Sequence, residues 1–347
     1  MSELGVIAIG RNEGERLRRC LESTVGRGLP VVYVDSNSND GSPELAQSMG
    51  ADVLHLDLSQ PFSAARARNA GFERLLRTNP DLRFVQFVDG DCEIVPGWID
   101  RARSELDMRA DVAVVCGRRR ERFPHASVYN RLADMEWDTP IGETSSCGGD
   151  SLMRVGPFQE SGGFDPSVAA GEEPELCQRL RGKGWKILRI DAEMTLHDSA
   201  MLHWSQWWRR SVRSGYGAMD VASRFGSEGL FTAQVRSARA WGIGLPLAAL
   251  LAAGLGSIFF GVEGAIVFAL LIIVVLPLQM LRIAIRQRRR SKSLFDAVAY
   301  GILMMLGKWA YLIGELKYRR DRRSGRNTRL IEYKSVSTAK TTLGKAV

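Results

Sequence analysis

Residues 84–98 read FVQFVDGDCEIVPGW. The run 84–88 is aromatic and β-branched and has strand length. It ends on Asp89, Gly90 and Asp91, with Glu93 two positions further. A turn needs one Asp and a Gly. Three carboxylates this close repel one another unless something positive sits among them. The stretch therefore reads as a buried strand with a functional end, and the rest of the chain has to supply the partner.

Upstream of it, strand-like and helix-like segments alternate. GVIAIG (5–10), PVVYVDS (30–36) and DVLHLDL (52–58) have strand composition. Between them, 12–25 carries Leu17, Leu21 and Val25 at helical spacing, SPELAQSMG (42–50) reads as a helix closed by Gly50, and 63–78 as a third helix. Such alternation predicts an α/β domain with a parallel sheet covered by helices on both faces. Ligands bind beyond the carboxyl ends of strands in such sheets. Asp35 and the Asp89/Asp91 pair both fall at such ends.

The chain has 347 residues and a formal net charge of +8. From Arg282 onward there are 17 Lys and Arg against 4 Asp and Glu, so the excess belongs to the C-terminal part and the preceding residues are net acidic. A nucleic-acid partner is not expected from a basic balance of this kind. The five cysteines are scattered without CxxC spacing, as for reduced thiols in a cytosolic compartment rather than a zinc site. The N-terminus lacks a basic n-region, so no cleaved signal peptide is expected.

Domain boundaries follow from hydropathy. Residues 1–226 form the catalytic-domain candidate. Within 227–281, the stretches 241–260 and 262–281 each have about the 20 apolar residues a spanning helix needs. Glu263 is their single charge, and Gly261, Glu263 and Gly264 stand where the turn between two spans belongs. Residues 282–330 are strongly basic around an apolar stretch, 294–316, which contains Asp296, Lys308 and Glu315. Basic flanks on both sides favour an amphipathic helix in the cytoplasmic interface, held on anionic lipid headgroups, with a third span as the alternative. The tail, 331–347, is expected to be disordered.

Two Asp at i and i+2 around a Gly let a bent chain aim both carboxylates at one divalent cation, Mg²⁺ or Mn²⁺, which can bridge to a diphosphate. Asp35, directly after a strand, can accept hydrogen bonds from a base or ribose. His197 follows a strand-like run, and a neutral imidazole suits a metal. The segment HWSQWWRRSVRSGYG (203–217) mixes Trp204, Trp207 and Trp208 with Arg209, Arg210 and Arg213, a composition found at membrane interfaces.

Six segments, in order, resemble the inverting family 2 glycosyltransferases of the GT-A fold, in a membrane-anchored bacterial form. They are AIGRNEGERLRRCLES, VDSNSNDGS, ARARNAG, FVDGDCEIVPGW, CGGDSLMRVGPFQESGGFDP and GEEPELCQRLRGKGWKI. The resemblance implies a Rossmann-like domain for nucleotide-diphosphate sugars. It implies nucleotide contacts from Asp35, Arg11, Asn12, Arg68 and Asp89, and a metal held by Asp91, Asp89 and His197. Glu172 and Glu173 match the acidic pair that supplies the general base. The family usually has Asp at the second position, so Glu173 matches the base and Glu172 is the alternative. Gln206 and Arg209 match the Gln-x-x-Arg-Trp motif of processive synthases, with Arg210 where Trp is expected. Together with Trp207 and Asp150 they are expected near diphosphate or acceptor.

These expectations combine into an inverting, metal-dependent transfer of a sugar from a nucleotide donor, UDP favoured, to a hydroxyl of a lipid-linked or glycan acceptor. The site is the cytoplasmic face of a bacterial inner membrane. A processive polysaccharide synthase and an inactive membrane-anchored sugar-binding scaffold are the rival readings.

Overall fold

The computed structural model describes residues 3–226, 229–289 and 293–325. The tail 331–347 lies outside the described residues.

The first half follows the expected alternation. Strands β1 (Leu4–Gly10), β2 (Val31–Asp35), β3 (Asp52–His55) and β4 (Phe84–Asp89) alternate with helices α1 (Glu15–Thr24), α2 (Ser42–Ser48) and α3 (Ala64–Thr78). All four strands are parallel, in the order β3-β2-β1-β4. Strand β1 thus pairs with β2 on one side and β4 on the other, with Gly10 opposite Asp35 and Ile9 opposite Asp89. This is a topological switch point, where the diverging connections leave a crevice at the strand ends.

Beyond β4 the sheet is mixed. Strand β5 (Cys92–Ile94) is followed by α4 (Trp98–Met108), β6 (Val112–Glu121), α5 (Val128–Glu136), β7 (Gly142–Glu143), β8 (Ser151–Arg154), α6 (Val155–Glu160), α7 (Glu172–Gly182) and β9 (Lys186–His197). Strand β8 inserts antiparallel between β4 and β6, and β5 and β7 run antiparallel to β9. The chain reaches β8 from β6 by way of α5 and the short strand β7, and it enters the sheet from the opposite end, antiparallel to both neighbours. The loop before β8 brings Gly149 and Asp150 to the end of β4.

Helix α3 shows how packing sets the site. Ser63 caps it by accepting from the Arg66 N–H, and Ala65, Ala67, Phe72 and Leu75 face the sheet. Phe72, Phe87, Phe158 and Phe164 form an aromatic cluster beneath it, and the Arg68 guanidinium lies 5.4 Å from the Phe164 ring. Arg68 is thereby pinned 2% exposed, with its tip at the end of β4.

Helix α8 (Trp204–Phe225) leaves the sheet domain, and α9 (Thr232–Arg239) continues through a π-helical turn at Ala240–Gly244 into α10 (Leu245–Ile273). Residue Gly261 breaks α10 with φ 66° and ψ −156°, a conformation glycine adopts without steric penalty. The chain reverses there: Gly256 packs on Gly264, and the Phe260 and Phe268 rings stack at 6.0 Å. Eight residues of straight helix would separate such pairs by about 12 Å. The expected turn is therefore present, and the apolar side chains of both arms are largely exposed. Helix α11 (Val275–Arg288) completes the second arm.

Helix α12 spans Leu294–Arg323, longer than the expected 294–316. It packs on α8, where Gly314 meets the Val212 carbonyl and Tyr311 meets Gly215. It also bridges the hairpin arms: Leu312 lies on Gly242, Glu315 pairs with Arg239, and Gly301 lies on Met280. Phe295, Val298, Ile302, Ile313 and Leu316 form an exposed apolar stripe along its outer side. Two stretches, Thr232–Arg288 and Leu294–Arg323, are long and apolar enough to cross a membrane.

Candidate active site

A cavity of about 650 Å³ opens at the switch point, bounded by the ends of β1 and β4, the first turns of α3 and α7, and one face of α8. It brings together Arg11, Asn12, Arg68, Asp89, Asp91, Glu172, Glu173, His197 and Arg210 from widely separated parts of the sequence.

Asp89 is fixed through its backbone and its side chain. Its N–H donates to Asp150 Oδ1 at 3.0 Å, and its Oδ1 accepts from Arg68 Nη2 at 2.8 Å. Asp150 is fully buried, and accepts from Thr195 Oγ1 at 2.7 Å and pairs with Arg119 at 2.9 Å. Asp150 therefore acts beneath Asp89 instead of facing the diphosphate or acceptor directly. Arg68 Nη1 reaches Glu172 Oε1 at 2.7 Å and Glu173 Oε1 at 3.1 Å. A Cβ at Gly149 would stand 2.6 Å from Arg68 Nη2 and from Asp89 Oδ2, so only glycine permits this convergence. Burial works against the Arg68 charge, yet Glu173, Asp89 and Glu172 hold its pKa above the ordinary value. Its guanidinium is committed to three carboxylates, so it serves as a hub of the acid cluster more than as a phosphate arm.

Asp91 is 6% exposed, and its Oδ2 lies 3.0 Å from His197 Nε2. Burial, reinforced by Arg119, pushes the His197 pKa down to about 4, so the imidazole is neutral. Its Nδ1 is buried without a hydrogen-bond partner among the described residues. Among the described residues, the ligand atoms of Asp91, Cys92 and His197 lie within 4.8 Å of one another, and those of Asp89, Cys92 and Asp150 form a second such group; the Asp91 carboxylate and the neutral imidazole suit Mn²⁺ or Mg²⁺, with Asp89 beside them in the cavity. Asp89, Asp91, Glu172 and Glu173 share the cavity with Arg68 and Arg119, and Arg11, Arg16, Arg210 and Arg213 line the rest of it. The residues present fit the group.

Glu172 and Glu173 open α7 behind Gly171. The Glu172 side chain is 6% exposed and the Glu173 side chain 15%. Burial, with Glu172 alongside, raises the Glu173 pKa to about 7. A carboxylate poised there can accept a proton near neutral pH.

Several expected residues stand elsewhere. Glu93 turns away and pairs with Arg122. Asp35 is 2% exposed, and its Oδ2 accepts from the Asn37 and Ser38 N–H groups, closing its own loop at the cavity's edge. Asn12 stitches that loop to the β1–α1 loop, and Arg11 lies 4.7 Å from the Phe62 ring. Gln206, Trp207 and Arg209 do not line the cavity. Gln206 caps α8 by accepting from the Leu202 and His203 N–H groups, and Trp207 packs on Leu132 and Leu303. Both lie one turn before the cavity, while Arg209 points off its face and donates to the Ser205 carbonyl. The face of α8 that does look inward carries Arg210, Arg213, Ser214, Gly217 and Ala218 at helical spacing.

Arg119, Trp137 and Tyr311 are among the lining residues that no sequence motif marked. Arg119 hides in the run Arg118–Arg119–Arg120, where strand alternation turns it inward while Arg118 and Arg120 pair with Asp134 and Glu193. Trp137 packs edge-on to His197 at 4.8 Å and beneath Arg119. Tyr311 comes from α12; alternation was the only signal available for any of them, and it served Arg119 alone.

Comparison with known proteins agrees with this geometry. Residues 6–159 match the family described as glycosyl transferase family 2. A pre-mycofactocin glycosyltransferase of Mycobacterium tuberculosis is 27% identical over 241 residues, 64% of this chain and 48% of that protein. The succinoglycan biosynthesis protein ExoA of Rhizobium meliloti is 26% identical over 188 residues, 51% of this chain and 55% of that protein. The chain thus spans about half the length of these curated relatives. The solved mannosyltransferase PcManGT of Pyrobaculum calidifontis, in complex with GDP-Man and Mn²⁺, superimposes with a TM-score of 0.57 at 14% identity, covering 92% of this chain and 88% of that one. Residues 6–159 thus match a family 2 glycosyltransferase domain, the sheet domain shares the GT-A fold of that mannosyltransferase, and two helical stretches long and apolar enough to span a membrane follow it.

Proposed function

We propose that the protein transfers a sugar, with inversion, from a nucleotide diphosphate donor to a hydroxyl of a lipid-linked or glycan acceptor at the cytoplasmic face of a bacterial inner membrane. The observation that carries this reading is the meeting of Asp89, Asp91 and His197 with Glu173 in one cavity, where Arg68 pairs with both Asp89 and Glu173. UDP is the favoured nucleotide, with the base seated beside the Asp35 loop and Arg11. Relatives named for mycofactocin glycosylation and succinoglycan biosynthesis support a transferase of this class.

Asp91, Asp89 and His197 would hold Mn²⁺ or Mg²⁺, which would neutralise the donor diphosphate and the charge that grows on it as it leaves. Glu173 removes the proton of the acceptor hydroxyl. The hydroxyl oxygen bonds to the anomeric carbon as the bond to the phosphate oxygen breaks, and the proton remains on the Glu173 carboxyl. Arg210 and Arg213 approach the departing diphosphate from α8. Arg68 and Arg119 keep the carboxylates in place, and Gly149 leaves room for them to converge.

The domain layout supports the location. The chain reverses at Gly261 between two apolar arms of about 30 Å, the thickness of a bilayer's hydrocarbon core. Helix α12, with its apolar stripe facing outward, lies at the base of that hairpin and contributes Tyr311 to the cavity. We read 227–281 as the spanning hairpin and α12 as the interfacial helix.

The test is donor turnover by the full chain in nanodiscs with Mn²⁺, using UDP-, GDP- and CDP-sugars and following the anomeric configuration of the product by NMR. Inverted product from one nucleotide class, lost in Glu173→Gln, is expected. Retained configuration, or full activity in Glu173→Gln, would contradict the mechanism.

A further inference from the structure

Lys308 is a half-buried cation in the middle of α12, and its ammonium has no partner among the described residues. Helical spacing shows which side it takes. Gly301 lies on Met280 and Leu312 on Gly242, so both positions face the base of the hairpin. Lys308 stands seven residues after the first and four before the second, on the same face. Glu315, seven residues further, is the acid of that face, and Arg239 and Arg319 hold it. A partly desolvated cation beside apolar segments is costly unless an anion meets it.

The hairpin opens toward this cation. At the tip, Gly256 and Gly264 bring the two arms into backbone contact. At the base, the arms touch α12 at Gly301 and Leu312, positions about 16 Å apart along the helix. Directly packed helices stand about 8–10 Å apart. The arms therefore splay as they approach α12, and Lys308 lies between their bases. Above it the arms offer no charge, since 241–281 contain Glu263 alone and that residue belongs to the turn.

We propose that Lys308 binds the phosphate of the lipid-linked acceptor, with the lipid chain rising between the arms of the hairpin. This rests on the transferase reading above. A lysine ammonium is a point charge suited to a phosphate, and uncharged arms suit a hydrocarbon chain. Position favours the acceptor over a bulk phospholipid. Tyr311, three residues after Lys308, lines the catalytic cavity. Side chains at that spacing have Cβ atoms about 5–6 Å apart, so a phosphate on Lys308 lies beside the wall that the acceptor hydroxyl must approach. One side of α12 takes the phosphate and the adjoining side closes the catalytic cavity.

The test uses the full chain in phosphatidylcholine nanodiscs doped with farnesyl phosphate, with farnesol and phosphatidylglycerol as comparisons. Bound lipid is counted by native mass spectrometry. Farnesyl phosphate should bind the native chain, bind Lys308→Met about ten-fold more weakly, and regain affinity in Lys308→Arg. Lys308→Met should melt no lower than the native chain, because it removes a charge without removing a partner. Nucleotide affinity with Mn²⁺ should be the same in all three proteins. Equal binding of farnesyl phosphate to the native chain and to Lys308→Met would overturn the proposal. Farnesol binding as tightly as its phosphate would also overturn it, as would phosphatidylglycerol competing at equal strength, the mark of a site for bulk headgroups. Failure of the native chain to bind UDP, GDP or CDP would overturn the acceptor assignment through the transferase reading. Lysine-dependent lipid binding in the same samples tells that failure from the others.

Discussion

The two walls of the catalytic cavity are built on different principles. On the sheet side, Asp91, His197 and Glu172 are buried, Asp89 and Glu173 are partly buried, and most are held by a second layer of Asp150, Arg119 and Arg68. On the helical side, Arg210, Arg213 and Tyr311 reach in from α8 and α12. Arg210 has Glu136 at 3.0 Å, and the wall depends on how two helices pack at Gly215 and Gly314. The first wall is a preorganised electrostatic site, where a single change leaves a buried charge uncompensated. The second is a surface brought into place by docking, where single changes should tune binding.

The comparison breaks first, if it breaks, at Arg68. Arg68→Met removes the partner of Asp89, Glu172 and Glu173 and should cost about 3–5 kcal/mol of stability, read by chemical denaturation. A loss of under about 1 kcal/mol would mean that the sheet wall is not locked as described. Glu173→Gln comes next in effect. Turnover should fall by about 10²–10⁴-fold with nucleotide affinity unchanged, whereas Glu172→Gln should chiefly lower the melting temperature. The reverse pattern would move the base to Glu172.

The raised Glu173 pKa adds a pH signature with opposite signs for activity and stability. The base works only when ionised, so kcat/KM should rise with pH up to about 7 and then level off. Its folded pKa lies above the ordinary 4.5, so between about 4.5 and 7 the native state binds more protons than the unfolded one. The stability contributed by this group is present at low pH and is lost as pH rises through that window. Melting temperature of the metal-free protein should therefore fall as activity climbs.

The helical wall gives the smallest effects and sharpens the contrast. Arg213→Ala and Tyr311→Phe should raise the apparent KM for donor or acceptor by up to about ten-fold, with the fold intact. Gln206→Ala should cost about 1 kcal/mol as a lost cap and leave KM unchanged. A larger kinetic effect from Gln206→Ala than from Arg213→Ala would restore the motif-based assignment of α8.

The same division explains what could be read from the sequence. The sheet wall was legible because its parts are local: a strand followed at once by Asp89-Gly90-Asp91, a glycine followed by Glu172-Glu173, alternating segments that give β1 to β4. The reversal at Gly261 was legible for the same reason. The antiparallel insertion of β8 was not, because a four-residue strand carries too short a pattern to show its direction or its neighbours. Glu93 read as part of the acid cluster because spacing does not reveal that Arg122 draws it away. On α8 the residues were identified but their azimuth was not. Which side of a helix faces a cavity is decided by its packing partner, and here that partner is α12, nearly a hundred residues downstream.

The central claim is that the sheet wall holds a divalent metal against a nucleoside diphosphate. Calorimetric titration of the full chain in nanodiscs with UDP, GDP and CDP, with and without Mn²⁺, tests it most directly when repeated on Asp91→Asn. Binding of one nucleotide that requires Mn²⁺ and is lost in the folded variant is the expected result. Binding of equal strength without metal, or undiminished in Asp91→Asn, would contradict it.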